Sequence, residues 1–197
     1  MQVFLETERL VLRRFTPADV DHLVELDSDP AVMRFLTGGA PTPRAVIEHD
    51  RLPRILSDYE RWAGFGCWAA IAKATGDFLG WFHFGPPAGA GSDEAELGYR
   101  LRQAAWGKGY ATEGARALIH KGFTDLGVRR VFATTYQNNL ASRRVMEKAG
   151  LTLVRTFHQS WPYRLEGDEF GDVEYALHKA DWEQREAQGG EQLGCNL

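Results

Sequence analysis

Trp106-Gly107-Lys108-Gly109-Tyr110-Ala111 lies between a segment of strand character, Leu97-Gly98-Tyr99-Arg100-Leu101, and a long helical pattern from Thr112 to Leu126. A chain that leaves a strand through glycines and enters a helix exposes N–H groups that have no acceptor one turn earlier. Together with the helix dipole, those groups suit a phosphate. Two glycines also let an anion approach the backbone without a Cβ in the way. A strand-to-helix turn with no ligand reads the same way locally. The G-x-x-x-x-G-K-[ST] phosphate loop is absent, and the dinucleotide pattern is incomplete. Thr112 stands where a third glycine belongs, and no acidic ribose ligand follows about 20 residues on. Any phosphate-bearing ligand is therefore of another kind.

Working outward, residues 6–15 alternate enough for one strand. Thr16-Pro17-Ala18-Asp19 then reads as a helix start. Val20, Leu23, Val24 and Asp27 share one face, and a second short helix, Ala31 to Leu36, ends at Gly38-Gly39. Thr42 to Trp62 is amphipathic, with Pro53 expected to kink it. Cys67–Lys73 and Phe78–Phe84 read as strands joined by the Thr75-Gly76-Asp77 hairpin turn, and Gly85 to Ser92 as a surface loop. After the glycine turn and its helix, Val131–Tyr136 is a strand and Asn138-Asn139 opens a helix that closes at Gly150. Leu151–Phe157 and Val173–Leu177 form a last pair of strands around an aromatic loop, Ser160 to Phe170, that holds Trp161, Tyr163 and Phe170. Residues 1–182 read as one domain, and 183–197 as a disordered polar tail. The order implies an α/β (α+β) architecture: a mixed sheet with helices on both faces.

The chain has 197 residues and a formal charge of −4, which argues against a nonspecific nucleic-acid binder. Cys67 and Cys195 read as free thiols, and with no C-x-x-C, H-E-x-x-H or close histidine pair no metal is expected. No long apolar run occurs, so neither a membrane span nor a secretory signal is expected, and the cytoplasm is the default location.

Four segments together resemble the GNAT superfamily of acetyl-CoA-dependent N-acetyltransferases, and within it the RimJ/RimL branch that acetylates ribosomal-protein N-termini. These are Thr7-Glu8-Arg9-Leu10-Val11-Leu12-Arg13, Glu96 through Glu113, Asn139 through Leu151, and Gly171 through Trp182. The resemblance implies a mostly antiparallel GNAT-type sheet of about seven strands. It implies acetyl-CoA as cofactor, CoA as product, an amine acceptor (a protein N-terminus or a small molecule), and a monomer or homodimer. Residues 29–63 and the aromatic loop would read the acceptor. In the superfamily loop pattern Q/R-x-x-G-x-G/A, Trp106 takes the first place, and Gly109 and Ala111 match the rest. Gly107, Lys108, Gly109, Tyr110 and Ala111 would then hold the diphosphate. The backbones of Tyr99 and Leu101 would carry the pantetheine arm. Asn139 reads either as a helix cap or as a pantetheine contact, with Asn138 free to cap in the second case.

The reaction implied is direct attack of a neutral amine on the thioester. Glu96 is the expected base, on the sheet face opposite Leu97 and Tyr99, with His83 the second choice. Met146 replaces the superfamily's usual proton-donating tyrosine, so Ser142 or a water is expected to protonate the leaving thiolate. Competing expectations are a non-catalytic acyl-CoA-binding protein on the same fold and an aminoglycoside-type resistance acetyltransferase.

Overall fold

The structure, a computed structural model, describes residues 2–87, 89, 91–159, 165 and 167–194. Trp161, Tyr163 and Cys195 lie outside the described residues. The first elements are β1 (Val3–Glu6), β2 (Leu10–Arg14), α1 (Val20–Leu26), α2 (Pro30–Thr37), α3 (Arg44–Val46) and α4 (Leu52–Arg61). The middle of the chain builds β3 (Gly66–Ala72), β4 (Phe78–Gly85), β5 (Glu94–Leu101) and α5 (Tyr110–Asp125). The last part adds β6 (Arg130–Tyr136), α6 (Leu140–Lys148), β7 (Thr152–Phe157), β8 (Asp172–His178) and α7 (Lys179–Gly194).

The described residues form one eight-stranded sheet in the order β1-β2-β3-β4-β5-β6-β8-β7. Every pairing is antiparallel except β5 with β6. The mixed, mostly antiparallel sheet is as expected, with one strand more than about seven. The strand expected over residues 6–15 is formed as β2 over Leu10–Arg14, while Glu6 ends β1 and residues 7–9 make the turn of a β1–β2 hairpin. Thr7 closes that turn: its N–H donates to the Leu10 carbonyl at 2.9 Å, and its Oγ1 accepts from the Leu10 N–H at 2.9 Å. A threonine side chain thus supplies the turn chemistry that glycine or asparagine usually signals.

Helices cover both faces. Phe82 and Phe84 of β4 point at α5, where a Cβ added to Gly114 would lie 2.3 Å from Phe82 and one added to Gly122 would lie 2.5 Å from Phe84. Glycine at these two helical positions lets α5 sit directly on the aromatic rings of the sheet. On the other face, His22 of α1 stacks on Phe78, and Arg100 of β5 reaches Asp27 at the end of α1. Ahead of Pro53 the chain widens into a π-helical turn, Ile47–Arg51, between α3 and α4. A proline that cannot donate and whose ring crowds the preceding turn favours such a widening.

The expected disordered tail is helical through Gly194. Its start is rich in good helix formers, and Trp182 packs on His120 and Phe123 of α5 with ring centroids 5.5 Å apart in each case. Arg185 also donates to the Gly150 carbonyl at 2.7 Å.

The feature that positions the site is a parting of strands. β5 pairs with β6 only over Glu94–Glu96, although β5 continues beside β4 to Leu101 and β6 beside β8 to Tyr136. Beyond Glu96 the edge of β5 that would face β6 is unpaired with it, a place where an extended chain can add.

Candidate active site

The 106–111 loop opens just past the end of β5. Gln103–Ala105 make a 3-10 turn, and the Trp106 indole N–H donates to the Leu101 carbonyl at 2.8 Å. Trp106 therefore braces the loop against the strand, and the Leu101 carbonyl is already engaged within the chain. Gly107 and Gly109 have φ of 71° and 83°, the left-handed region that costs other residues about 1–2 kcal/mol. A Cβ at Gly107 would meet nothing within 4 Å, so backbone conformation rather than crowding requires glycine there. Gly109 caps the 16-residue α5, and the N–H groups of Tyr110, Ala111 and Thr112 begin its first turn without a carbonyl behind them. Residues 106–109 are all exposed, Lys108 included.

The hairpin turn between β1 and β2 props this loop. Glu113, in the first turn of α5, accepts from Thr7 Oγ1 at 2.5 Å, the Arg9 N–H at 2.9 Å and Arg9 Nε at 2.6 Å. Arg9 Nη1 donates to the Lys108 carbonyl at 2.9 Å, and the guanidinium lies 4.6 Å over the Tyr110 ring. Burial alone would raise the Glu113 carboxyl, but the hydrogen bonds from Thr7 and Arg9 and the Arg9 charge outweigh it and hold the carboxyl below its ordinary value. Thr7, Arg9 and Glu113 belong to the segments that carry the family resemblance, yet nothing in their spacing says that they meet.

Strand alternation splits β5 into two roles. Tyr99 points toward α6, where its hydroxyl lies 3.0 Å from Ser142 Oγ and donates to the Ser142 carbonyl at 3.0 Å. Burial pushes the Tyr99 hydroxyl up to about 12, against the hydrogen bond from Ser142, so it stays protonated. Asn139 caps α6 itself: its side chain accepts from the Ser142 N–H at 3.3 Å and donates to Thr135 Oγ1 at 3.0 Å. The alternative in which Asn138 caps and frees the Asn139 side chain is not the one formed. Met146 is buried in the core at 2 % exposure, and its thioether carries no proton to give.

Glu96, Gly98 and Arg100 occupy the other face, as expected for Glu96. Glu96 sits where β5 and β6 part, and burial raises its carboxyl above the ordinary value. His83 is paired with Gly98, and its Cε1 would lie 3.5 Å from a Cβ on Gly85, the residue paired with Glu96. Burial lowers the His83 imidazole, outweighing the Asp58 charge, and keeps it neutral at pH 7. Two rows away, Asp27 is completely buried between Arg100 and Arg51. An acid on the apolar face of α1 was the visible signal for this buried ion cluster; the two arginines it meets, far along the chain, gave none. On the same face, α2 reaches the end of β6 through Phe35 and Tyr136, with ring centroids 6.4 Å apart. Leu165 approaches Gly38 at the end of α2, so parts of the two segments expected to read the acceptor do come together.

Residues 9–152 match the family described as the acetyltransferase (GNAT) domain. The chain is 34 % identical over 189 residues to the FsC-acetyl coenzyme A-N(2)-transacetylase of Aspergillus fumigatus, covering 92 % of this chain and 78 % of that protein. Its fold is similar to a GNAT-family acetyltransferase from Bacillus anthracis, with TM-score 0.72, 25 % identity, and coverage of 91 % of this chain and 99 % of that one. It is also similar in fold to RimL, a ribosomal L7/L12 alpha-N-protein acetyltransferase in complex with coenzyme A, with TM-score 0.74, 21 % identity, and coverage of 90 % and 98 %. The chain belongs to the GNAT acetyltransferase family and is an N-acetyltransferase that uses acetyl-CoA. No helix among the described residues is long and apolar enough to cross a membrane.

Proposed function

We propose that this enzyme acetylates a primary amine of low pKa, an α-amine carried by a small molecule, with Glu96 as base. The observation that carries the reading is the placement of Glu96: a half-buried carboxyl at the divergence of β5 and β6, on the face away from α5 and free of any hydrogen-bonded partner among the described residues.

The chain's own groups fit coenzyme A. The open space at Gly107 and the free N–H groups at the start of α5 suit a diphosphate. The unpaired edge of β5 beyond Glu96 suits an extended pantetheine arm. Gly107, Lys108, Gly109, Tyr110 and Ala111 would hold the first through main-chain donors, and the Tyr99 backbone the second. When bound, acetyl-CoA supplies the acetyl thioester. Glu96 takes the proton from the incoming ammonium, directly or through a water. A backbone N–H on the gap side of β5 polarises the thioester oxygen. Ser142 Oγ–H, held at 3.0 Å beside the Tyr99 hydroxyl, is the proton donor toward the sulfur, the task that Met146 cannot perform, and regains its proton from water.

The acceptor class follows from proton cost. Deprotonating an α-amine of pKa about 8 at pH 7 costs about 1 kcal/mol, whereas a lysine near 10.4 costs about 5 kcal/mol. One half-buried carboxylate without a cationic partner suits the smaller task. The A. fumigatus relative, named for an N(2) transfer, supports a small-molecule acceptor. The RimJ/RimL likeness of the motifs favours a protein N-terminus, which shares the same amine chemistry. A thiol-release assay with amino-acid amides, short peptides, lysine side-chain mimics and aminoglycosides tests the proposal. Turnover confined to α-amines is expected. Turnover only with ε-amines or aminoglycosides contradicts it, and CoA binding without turnover of any amine favours the non-catalytic alternative.

A further inference from the structure

We propose that Arg9, far from the reacting atoms in sequence and on the opposite side of the loop, is a positioning residue that aims the main chain of the glycine loop at the diphosphate. The inference rests on the reading of residues 106–111 as the coenzyme A site.

The peptide between Lys108 and Gly109 is held from one side. Arg9 Nη1 holds the Lys108 carbonyl at 2.9 Å. In a planar trans peptide the carbonyl and the next N–H point in opposite directions. With the carbonyl turned toward Arg9, the Gly109 N–H is turned away from it, toward the open side of the loop. This peptide is flanked by Lys108 and by Gly109, a glycine at φ 83°, so its C-terminal hinge is the most adaptable kind of residue, and a second glycine of positive φ, Gly107, lies one residue before Lys108. Without an external hold it is free to rotate.

Arg9 can supply that hold because it is itself fixed on three sides. Its Nε meets Glu113 Oε2 at 2.6 Å and its Nη2 meets the same oxygen at 2.6 Å. Its own N–H meets Glu113 Oε1 at 2.9 Å, and Thr7 Oγ1 completes the carboxylate at 2.5 Å. The Tyr110 ring lies beneath the guanidinium at 4.6 Å. A Cβ on Gly109 would lie 3.3 Å from Arg9 Nη2, so the side chain is packed directly against the hinge. The planar fork allows one arginine to bind the carboxylate and the carbonyl together, which an ammonium does less well. The conjunction of Thr7, Arg9 and Glu113 thus gives a reason for a β1–β2 turn that reaches across to the start of α5.

The consequence is selective for one part of the cofactor. Loosening this peptide removes donors from the diphosphate but leaves the β5 edge and Glu96 untouched. Arg9→Gln and Arg9→Lys are compared with the wild type for CoA affinity by calorimetry, and for kcat/KM with acetyl-CoA and with S-acetylpantetheine, which has no diphosphate. Arg9→Gln is expected to weaken CoA binding about tenfold or more, as for loss of a well-aligned donor to a charged group. Its kcat/KM with S-acetylpantetheine is expected to hold within about twofold. Arg9→Lys, which keeps the ion pair and the fold, is expected to fall between. Equal loss with both thioesters, or no loss with either, overturns the assignment. A wild type that binds CoA no better than pantetheine overturns the reading of the loop itself, and the assignment with it.

Discussion

Glu96 and Tyr99 stand three residues apart on one strand and face opposite sides of the sheet, which divides the proton work between them. Burial raises the Glu96 carboxyl, so its ionised form is the scarce one as pH falls. The acid limb of kcat/KM should therefore lie above the ordinary carboxylate range, with activity lost as pH drops through it. Glu96→Gln should lower kcat about 100-fold or more while leaving the KM for acetyl-CoA nearly unchanged. Wild-type turnover in that variant removes Glu96 from the mechanism. Tyr99→Phe deletes the hydroxyl behind Ser142 Oγ but keeps the ring in its packing. It should cost about tenfold in kcat, with CoA affinity held within about twofold by calorimetry. Unchanged kcat would leave Ser142 to work without it. At this scale the alternation along β5 made the face of Glu96 readable in advance. The hydroxyl of Tyr99 was not readable, because its partner lies 43 residues away on α6 and contact between them depends on how the two elements pack.

The glycine turn and α5 announced themselves as an element through their local pattern, since positive φ and a helix start are properties of neighbouring residues. The β1–β2 hairpin did not, because its turn is closed by a threonine side chain. The glycines inside α5 carried a second message that propensity alone hides. Gly114 costs helix stability on its own yet sits 2.3 Å, measured from an added Cβ, from the Phe82 ring. Gly114→Ala should therefore destabilise the fold by about 1–3 kcal/mol despite alanine's better helix propensity, read as a lower urea midpoint. A stabilised variant would show that α5 does not press on the sheet as described.

Across the whole molecule, alternating strands and helices made the mixed sheet legible, but not its strand order or the parting of β5 from β6, which depend on long-range pairing. The last helix was hidden because its polar composition suits a solvated tail as well as a helix. Packing decides between them. Trp182→Ala should lower stability by about 1–2 kcal/mol through lost contact with His120 and Phe123, measured by thermal unfolding. Stability should also weaken in acid. Burial would raise Glu174, but Arg155 and Arg130 outweigh it and hold its carboxyl below the ordinary value. Its contribution is present above the unfolded pKa and is lost as pH falls through the lower folded one.

Main-chain donors at residues 107–111 are proposed to grip the diphosphate of coenzyme A. Calorimetric titration of CoA into wild type and Gly109→Val tests this most directly, because valine cannot hold a φ of 83° without strain. Binding by the wild type and none detectable in a variant that still unfolds cooperatively is the predicted result; equal affinity in the two proteins would place the cofactor elsewhere.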